Sequence, residues 1–577
     1  MKNIVLLLFY LFVFVASFAA KSDSTSIKPK AVRISGGFGA GITFYGVTGI
    51  EPQRPPAFWD LRGSISINIL NQVNIPFNFN ISQQNSNYTH PFNQFGMSPH
   101  YKAFTLHAGY SVMNFSDYSL NGVNFLGAGL EVSPKKGWVR GKILAGRFVK
   151  AMPYSADATL FISNPAYERW GYGLMLEVGK PQNNVGLIIF KAQDVPSSVN
   201  NVPADYKLNP AENLVLGITT LQRITNKLTF KAEFDQTAYT SNTHEDVIEK
   251  TDYVYSNYLG KLFQPRLSTS FSYALSTNLD YTYKKLVFGL GYKRIGPDYK
   301  SMGTVFIDNN KEEYLFKVRG MALKNKLTFL VNTGLQHSNL DQNNLSTNNR
   351  FIGSVNLGYR FSQQLNMNIN YSNFNTSNVI QQINHADSVR YVQTTNNIGY
   401  SVNYNFKTEN KTHALLFTAN YSKAFTLYKT STFNYVLPDT IIEVKGDERE
   451  TSSGFFNSNI GYNIGFTKIN AFMNFTVNYS DMRNENMTSQ TVGPVLTFGK
   501  NLLKKKLRLS LSVSYLNTYL DSKSSGDIVN NRVTASYRLT NKHSFRAAVI
   551  NVNRRFVDGN RKSYSEFRGS ITYRYSF

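Results

Sequence analysis

The chain has 577 residues with a formal net charge of +25, no cysteine, and 36 Tyr and 42 Phe against only 3 Trp. The lack of cysteine excludes a disulfide framework and cysteine-based metal or redox chemistry. After residue 20 no stretch reaches the ~18 apolar residues of a membrane-spanning helix. This composition is typical of strands in which every second residue is polar, because hydropathy then averages out along the chain.

The N-terminus has the features of a secretory signal. Lys2 provides a positive charge, Ile4–Val15 is an almost unbroken apolar run, and Ser17–Ala19 offers small residues for cleavage. A signal peptide is therefore predicted at 1–19, with an uncleaved anchor as the alternative. Since an exported chain rarely meets nucleic acid, no nucleic-acid partner is expected. Lipid phosphates or an anion-favouring pore explain the basic charge better.

The first strand-like run, Ile34–Tyr45, is rich in glycine at positions 36, 37, 39 and 41. A nucleotide-binding glycine loop requires a helix after it, but Ile42–Tyr45 continues as strand. Glycines that let a barrel strand bend are the favoured interpretation. This run is the most doubtful of the predicted wall strands.

Further along the chain, apolar and polar residues alternate, which is the pattern of β-strands. The clearest runs are 73–81, 365–371, 471–479 and 507–515. A soluble sandwich also alternates, but its apolar face needs a second sheet to cover it. The connections between the runs distinguish a transmembrane barrel from a soluble sandwich.

Two kinds of connection take turns along the chain. Short ones carry Asn and Lys, at 225–227, 283–285, 324–326, 409–411, 504–506 and 540–542. Long ones carry Asn, Ser, Asp and Thr, at 338–349, 375–390, 423–452, 481–488 and 519–526, with 423–452 the largest. The sequence therefore predicts an all-β fold, a large antiparallel transmembrane β-barrel with short periplasmic turns and long extracellular loops.

About 25 strand-like runs predict an even-numbered barrel of about 24 strands, roughly 22–26. Counting back from the C-terminus, the alternation of turn types fails within 30–120, where the long segment 83–100 falls on the periplasmic side. Either one run there inserts into the lumen as a plug-like segment, or two strands have been read as one. Residues 20–577 otherwise form a single barrel domain, with a short helix expected within 244–262.

One stretch combines aromatics, amides and a turn glycine, and is predicted either to line or plug the lumen or to form a plain turn. It comprises Pro91, Phe92, Asn93, Gln94, Phe95 and Gly96. His107 and His413 are the strand histidines that a hydrolase would use, but no Gly-x-Ser-x-Gly or His-Glu-x-x-His motif accompanies them. The acidic clusters 244–246 and 446–450 lack the spaced ligands of a calcium loop. No catalytic, metal or cofactor-binding site is predicted, and no cofactor.

The last strand carries a membrane signature. Phe567, Ile571, Tyr573, Tyr575 and Phe577 fall on one face, with polar residues between them. Such a face meets lipid, and the final aromatic lies in the interfacial girdle. We expect Ile571, Tyr573, Tyr575 and Phe577 to form the terminal strand used in barrel assembly. The expected partners are the barrel-assembly machinery, outer-membrane lipid and lipopolysaccharide.

Glycine- and aromatic-rich motifs occur at Pro91–Pro99, Leu106–Tyr110, Phe125–Val132, Gly146–Phe148, Glu212–Gly217 and Tyr299–Gly303. In these motifs, over residues 30–380, the chain resembles an uncharacterised family of outer-membrane β-barrel proteins from Bacteroidetes. The resemblance implies a barrel in the outer membrane and assigns no activity or functional residue. The sequence shows no TonB box, so the large TonB-dependent transporters are a poor match.

Three functions fit such a barrel in the outer membrane of a Gram-negative bacterium. The favoured one is a channel or translocation pore for solutes or secreted chains, which prefers anions if the basic residues face the lumen. The alternative is a non-conducting surface anchor or scaffold for a secreted or surface protein. A barrel-embedded hydrolase is third and requires a His–Ser or Asp–His pair within hydrogen-bond reach. The sequence favours a protein that is not an enzyme.

Overall fold

The computed structural model describes residues 31–83, 89–154, 165–200, 202–203, 208–248, 262–340, 349–380, 389–429, 433–437, 440–444, 448–557, 559 and 561–577. The signal peptide predicted at 1–19 lies outside these residues, and so does most of the segment 244–262 for which a helix is expected. No helix in the described part of the chain has the length and apolar content to span a bilayer.

The described residues form thirty-one strands and one 3₁₀ turn at Pro196–Ser198. In chain order the strands are β1 (Val32–Thr48), β2 (Ala57–Ile69), β3 (Val73–Ser82), β4 (Gln94–Met97), β5 (His100–Tyr101), β6 (Phe104–Val112), β7 (Leu120–Asn121), β8 (Asn124–Val132), β9 (Val139–Val149), β10 (Glu168–Lys180), β11 (Asn183–Val195), β12 (Glu212–Arg223), β13 (Leu228–Thr240), β14 (Thr269–Tyr283), β15 (Leu286–Ile295), β16 (Gly303–Thr304), β17 (Lys311–Ala322), β18 (Leu327–Ser338), β19 (Asn349–Arg360), β20 (Leu365–Ile380), β21 (Val389–Lys407), β22 (Lys411–Lys429), β23 (Phe433–Leu437), β24 (Thr440–Val444), β25 (Glu448–Phe466), β26 (Ala471–Arg483), β27 (Thr488–Leu502), β28 (Leu507–Leu520), β29 (Lys523–Arg538), β30 (His543–Phe556) and β31 (Tyr564–Ser576).

These strands build a closed antiparallel barrel with 26 wall positions. The short strands β4 and β5 share one position, since both pair with β3 on one side and β6 on the other. The ring closes where β1 pairs with β31, and the N–H of Phe577 donates to the carbonyl of Gly36 at 3.0 Å. The barrel class is confirmed, and the wall has two more strands than the predicted 24.

The doubtful run Ile34–Tyr45 is a wall strand, within β1. β1 and β31 meet at the seam where the ring closes. The glycines of β1 let both neighbouring strands approach closely, because a Cβ on Gly37 would lie 2.3 Å from the carbonyl oxygen of Tyr575 in β31, and one on Gly36 2.2 Å from that of Ser64 in β2. Gly36 also has a φ of +126°, which L-residues with side chains rarely adopt. The seam strand therefore requires small residues for close approach of its neighbours.

An even ring returns the chain to the end from which it started, so β1 begins and β31 finishes at the same end. The short turns lie at this end, including 181–182, 284–285 and 539–542. Lys284, Leu323, Lys324 and Asn325 in these turns have positive φ, as tight hairpin turns require. The segment 83–93 lies at the opposite end, so the predicted break in alternation within 30–120 does not occur.

Two predictions about the long-loop end are wrong. The segment 519–526 is mostly strand, because β28 and β29 meet in a turn of only Asp521 and Ser522. The segment 423–452 shortens to 430–447, because β22 and β25 pair along 19 residues each. The longest connection between wall strands is 241–268.

The outer face of the wall is apolar and ends in aromatic rings. On β28 the exposed side chains are Leu509, Leu511 and Val513, while the serines between them face the lumen. At the short-turn end, the rings of Tyr575 and Phe577 are 5.5 Å apart and part of a wider band of aromatic contacts. An apolar belt bounded by an aromatic girdle is the outer surface of a transmembrane barrel of the outer-membrane type.

Candidate functional site: the barrel lumen

Two connections from the long-loop end fold into the lumen. They are 113–123, between β6 and β8, and 296–310, between β15 and β17. They meet in a short parallel ladder between β7 and β16. We name these two segments together the lumen plug.

The plug lies inside the barrel because it covers the inner face of the wall. On β11, Leu187 is 54% exposed, whereas the adjacent Ile188 and Phe190 are 2% and 0% exposed. Successive strand residues point to opposite faces, so the buried side is the lumen. Met113 and Leu120 of the plug pack there in one apolar cluster, whose members are Met113, Phe115, Leu120, Phe125, Leu144, Phe148, Met175, Ile188, Phe190, Ala192, Ala211, Val215 and Met302.

Hydrogen bonds join the two segments of the plug to each other. The hydroxyl of Tyr299 donates to the carbonyl of Tyr118 at 3.0 Å, and the hydroxyl of Ser301 donates to the carbonyl of Ser119 at 2.5 Å. Burial raises the pKa of the Tyr118 hydroxyl, and the nearby carboxyl of Glu233 adds to the effect. Burial also raises the pKa of Tyr299. Both hydroxyls therefore keep their protons, and Tyr299 remains a donor.

Polar side chains of the wall clamp the plug in place. Asn213 of β12 accepts from the N–H of Met302 at 3.0 Å and donates to the carbonyl of Lys300 at 3.4 Å. Thr237 of β13 donates to the same carbonyl at 2.7 Å. Since Asn213 and Thr237 are 0% and 1% exposed, these bonds form out of contact with water and are costly to break.

One acidic and one basic side chain of the wall bind the backbone of the first plug segment, 113–123. The N–H of Tyr118 donates to the Glu233 carboxylate at 3.1 Å. Lys142 of β9 donates to the carbonyl of Asn114 at 2.7 Å. Together with Asn213 and Thr237, these contacts fix the plug against β9, β12 and β13.

The opposite part of the wall has a different inner face. On β28, β29 and β30 the inward side chains include Arg508, Arg532 and Arg546, and all three are exposed. They border a recess of about 480 Å³ whose other lining residues are Thr497, Ser510, Ser512, Thr534 and Ser536. We name β28–β30 the basic sector, and β11–β13 with the plug on them the plugged sector.

Arg508, Arg532 and Arg546 lack acidic partners within the described ranges. Arg508 lies over the ring of Phe472, 4.9 Å from its centroid. By contrast, Arg568 on the lumen face of β31 is paired with Glu566. The recess is therefore a site of uncompensated positive charge with hydroxyl donors around it.

The stretch Pro91–Gly96, proposed as a lumen or plug segment, lies at the wall. Gln94 belongs to β4, where its side-chain oxygen accepts from Asn124 at 3.0 Å. Phe95 is 43% exposed on the outer face. The plug segments do carry a signal in the sequence, since both are more apolar than is usual for external loops. The motif Tyr299–Gly303 of the resemblance lies within the plug.

The other predicted residues lie apart from the plug. Ile571, Tyr573 and Tyr575 belong to β31, and Phe577 follows it at the seam. His413 accepts or donates a hydrogen bond with the Tyr462 hydroxyl at 2.7 Å. His107 lies between Ser98 and Glu131, a pairing that the sequence does not reveal.

No group of three or more His, Asp or Glu side chains is placed to hold a metal ion in the ranges that the structure covers. Of the two acidic clusters, 244–246 lies in an external loop, and residues 446–447 of the other are not among those described. Arg449, within the latter cluster, pairs with Glu485 at 3.4 Å.

Comparison with known proteins gives structural similarity only. No protein family and no curated protein matches the sequence. The barrel is similar to the P pilus usher PapC translocation pore, at 10% identity over 94% of this chain and 98% of that one, with a TM-score of 0.34. It is also similar to the FrpB iron transporter from Neisseria meningitidis, at 9% identity and a TM-score of 0.36, and to the copper transporter OprC, at 8% and 0.40. In both of these matches the aligned region covers 94% of this chain and 81% of the transporter chain. At these values neither function nor cargo transfers to this chain.

Proposed function

We propose that this protein is an outer-membrane channel that passes small anionic solutes through the basic sector of its lumen. The observation that carries the proposal is the set of inward, exposed arginines without acidic partners, Arg508, Arg532 and Arg546. A basic constriction with low-dielectric walls raises the local concentration of anions and repels cations. The surrounding hydroxyls can replace part of the water around a passing anion.

The plugged sector is not part of the proposed path. Its inner face is packed like a protein interior, with Phe190, Val215 and Asn213 all 0% exposed. On the basic sector, nothing in the described part of the chain packs over the arginines. We therefore assign the plug the role of narrowing the lumen on one side.

The expected location and partners belong to the same proposal. After removal of residues 1–19, the chain would enter the outer membrane of a Gram-negative bacterium, with β31 as the strand used by the assembly machinery. At the long-loop end, Lys423 and Arg483 border an outer recess of about 630 Å³ beside Tyr421 and Tyr479. Basic side chains at this level suit the phosphates of lipopolysaccharide.

The experiment is a measurement of single-channel currents across a planar bilayer that separates two KCl concentrations. We expect a reversal potential of the sign that chloride selectivity requires. The variant Arg508→Gln/Arg532→Gln/Arg546→Gln should move that potential toward zero. Arg555→Gln is the matched control, because Arg555 lies on the opposite face of β30 and pairs with Asp527 at 3.3 Å.

Two outcomes contradict the proposal in different ways. A folded barrel that conducts nothing removes the channel. A barrel that conducts with the same reversal potential before and after the triple substitution removes the arginines as the basis of selectivity.

A surface scaffold for an exported partner is the second candidate, and strand length favours it. Strands β20, β21, β22 and β25 have 16 to 19 residues, against the about 9–11 that cross a bilayer. Since their short-turn ends lie at the aromatic girdle, the extra length projects outward toward the hairpin β23–β24. Deletion of 430–447 should release a partner that co-purifies in mild detergent; retention of the partner would exclude this surface.

A further inference from the structure

His107 lies on the lumen face of β6 in surroundings unlike those of two other histidines in the wall. Its Nδ1 is 3.0 Å from Oγ of Ser98, and its Nε2 is 3.2 Å from Oε1 of Glu131. His413 and His543 each meet a tyrosine hydroxyl instead, at 2.7 and 2.8 Å. Serine, histidine and carboxylate in this order form the arrangement that activates a hydroxyl nucleophile.

The register of the wall brings the three side chains together. His107 pairs with Gly129 across β6 and β8, and Glu131 follows two residues later on the same face. Ser98 lies in the break between β4 and β5, next to Pro99, which has no N–H to continue the ladder. The break places Ser98 beside His107 on the lumen face.

The hydrogen bonds determine which ring nitrogen carries the proton. An ionised Glu131 carboxylate can only accept, so Nε2 of His107 must donate to it. In the neutral ring Nδ1 is then unprotonated, and it accepts the hydrogen bond from the Ser98 hydroxyl. The ring is therefore set to remove the proton of Ser98. Glu131 can stabilise the imidazolium that results.

The site lies against the plug and is reached from the lumen. Met113 of the plug packs on Gly129, since a Cβ there would lie 2.3 Å from the Met113 sulfur. The side chain of His107 is 12% exposed, and that of Glu131 is 29% exposed. Ser98 is half-buried, so a small molecule in the lumen can contact it.

We propose that Ser98 is the nucleophile of a carboxylic-ester hydrolase site, with His107 as general base and Glu131 as its positioning residue. Oγ of Ser98 attacks the ester carbonyl while its proton passes to Nδ1 of His107. The imidazolium returns that proton to the leaving alcohol as the ester bond breaks. Water then adds to the acyl-serine with help from His107, which releases the acid and restores Ser98. This proposal does not depend on ion conduction.

Turnover should be slow. In the described residues we find no pair of backbone N–H groups that is assigned to the oxyanion that develops on the ester carbonyl. In enzymes that have such a pair, loss of one donor lowers the rate by about 10²–10³. The primary readout is therefore covalent capture, with hydrolysis of 4-nitrophenyl butyrate as the second.

The experiment treats the folded full-length barrel with an alkyl fluorophosphonate and locates the adduct by mass spectrometry. Ser98 displaces fluoride from phosphorus while His107 takes the proton. We expect the adduct on Ser98, loss of labelling and of ester hydrolysis in Ser98→Ala, and a fall of about 100-fold in His107→Gln.

Ser66 is the matched control. It lies on the lumen face of β2, as Ser98 lies on the lumen face of the wall, but its hydroxyl bonds Asn74 at 2.6 Å rather than a histidine. Ser66→Ala should leave labelling unchanged. Retention of the folded-barrel gel mobility in each variant separates loss of chemistry from loss of fold. Equal labelling of Ser66 and Ser98, no adduct on Ser98, or labelling that is independent of His107 would each overturn the proposal.

Discussion

The plugged sector and the basic sector are built on the same strand rules and differ in what meets their inner faces. On β11 and β12 the inner residues Phe190, Ala192 and Val215 are 0% exposed beneath the plug. On β29 and β30 the inner residues Arg532 and Arg546 are exposed. Alternation decides that a face points inward, but the connections decide whether that face is covered.

The difference is also one of chemistry. The plugged sector pairs apolar and buried polar groups that satisfy one another, such as Asn213 with Met302. The basic sector keeps arginines and hydroxyls in contact with the lumen. One part of the lumen is therefore suited to structural rigidity and the other to contact with solutes.

The largest expected effect comes from a cavity in the plugged sector. Phe190→Ala removes a ring that is fully buried and 5.8 Å from the Phe148 ring, which should cost about 3–5 kcal/mol. Phe475→Ala on the outer face of β26 should cost less, because lipid refills the space. Denaturant unfolding of the barrel in lipid vesicles measures both. Equal losses at the two positions would mean that the plugged sector is not packed as a core.

Removing the clamp on the plug should have the next largest effect. Asn213→Ala leaves the buried N–H of Met302 without its partner, at about 1–3 kcal/mol, while the carbonyl of Lys300 keeps its bond from Thr237. We expect additional high-conductance events in single-channel records as the plug loosens. Unchanged conductance together with lowered stability would show that the plug does not limit the path.

Salt should weaken the proposed anion preference of the basic sector while leaving the plug intact. Screening lengths fall from about 10 Å at 0.1 M to about 3 Å at 1 M salt. Because Arg508, Arg532 and Arg546 are exposed, their field is screened, whereas the buried contacts of the plug are not. Reversal potentials measured at a constant concentration ratio should approach zero at high salt. A salt-independent preference would place the selective charges in a buried position.

The smallest effect concerns the plug tyrosines and pH. Tyr118 and Tyr299 have pKa values raised above their ordinary value of 10.0, so the folded plug favours their protonated forms. Their contribution to stability is complete below pH 10 and is lost as pH rises through the raised pKa values. Absorbance at tyrosinate wavelengths should show Tyr118 and Tyr299 titrating above pH 10. Tyr299→Phe, which removes the donor to Tyr118, should cost about 1 kcal/mol.

Most of the wall could be predicted from local pattern, and the lumen could not. Alternation at 471–479 and 507–515 marks strands that the structure contains as β26 and β28. The 26 strands of the wall are close to the predicted number of about 24 and lie within the predicted range of 22–26. The stretch Pro91–Gly96 drew attention as a lumen segment because it combines aromatics with turn residues, but Phe95 turns to the outer face. The loops that fill the lumen carry the same kinds of residues.

The amino-acid sequence alone determines local features: which residues alternate, which face of a strand is apolar, and where turns with Asn and Lys reverse the direction of the chain. The contacts that define the lumen join residues far apart in sequence, as Tyr118 and Tyr299 are, at a separation of 181 residues. Ser98, His107 and Glu131 likewise come together only when β4 to β8 pair in register. Alternation is a property of neighbouring residues, whereas the filling of the lumen and the order of its hydrogen bonds arise only after the ring has closed.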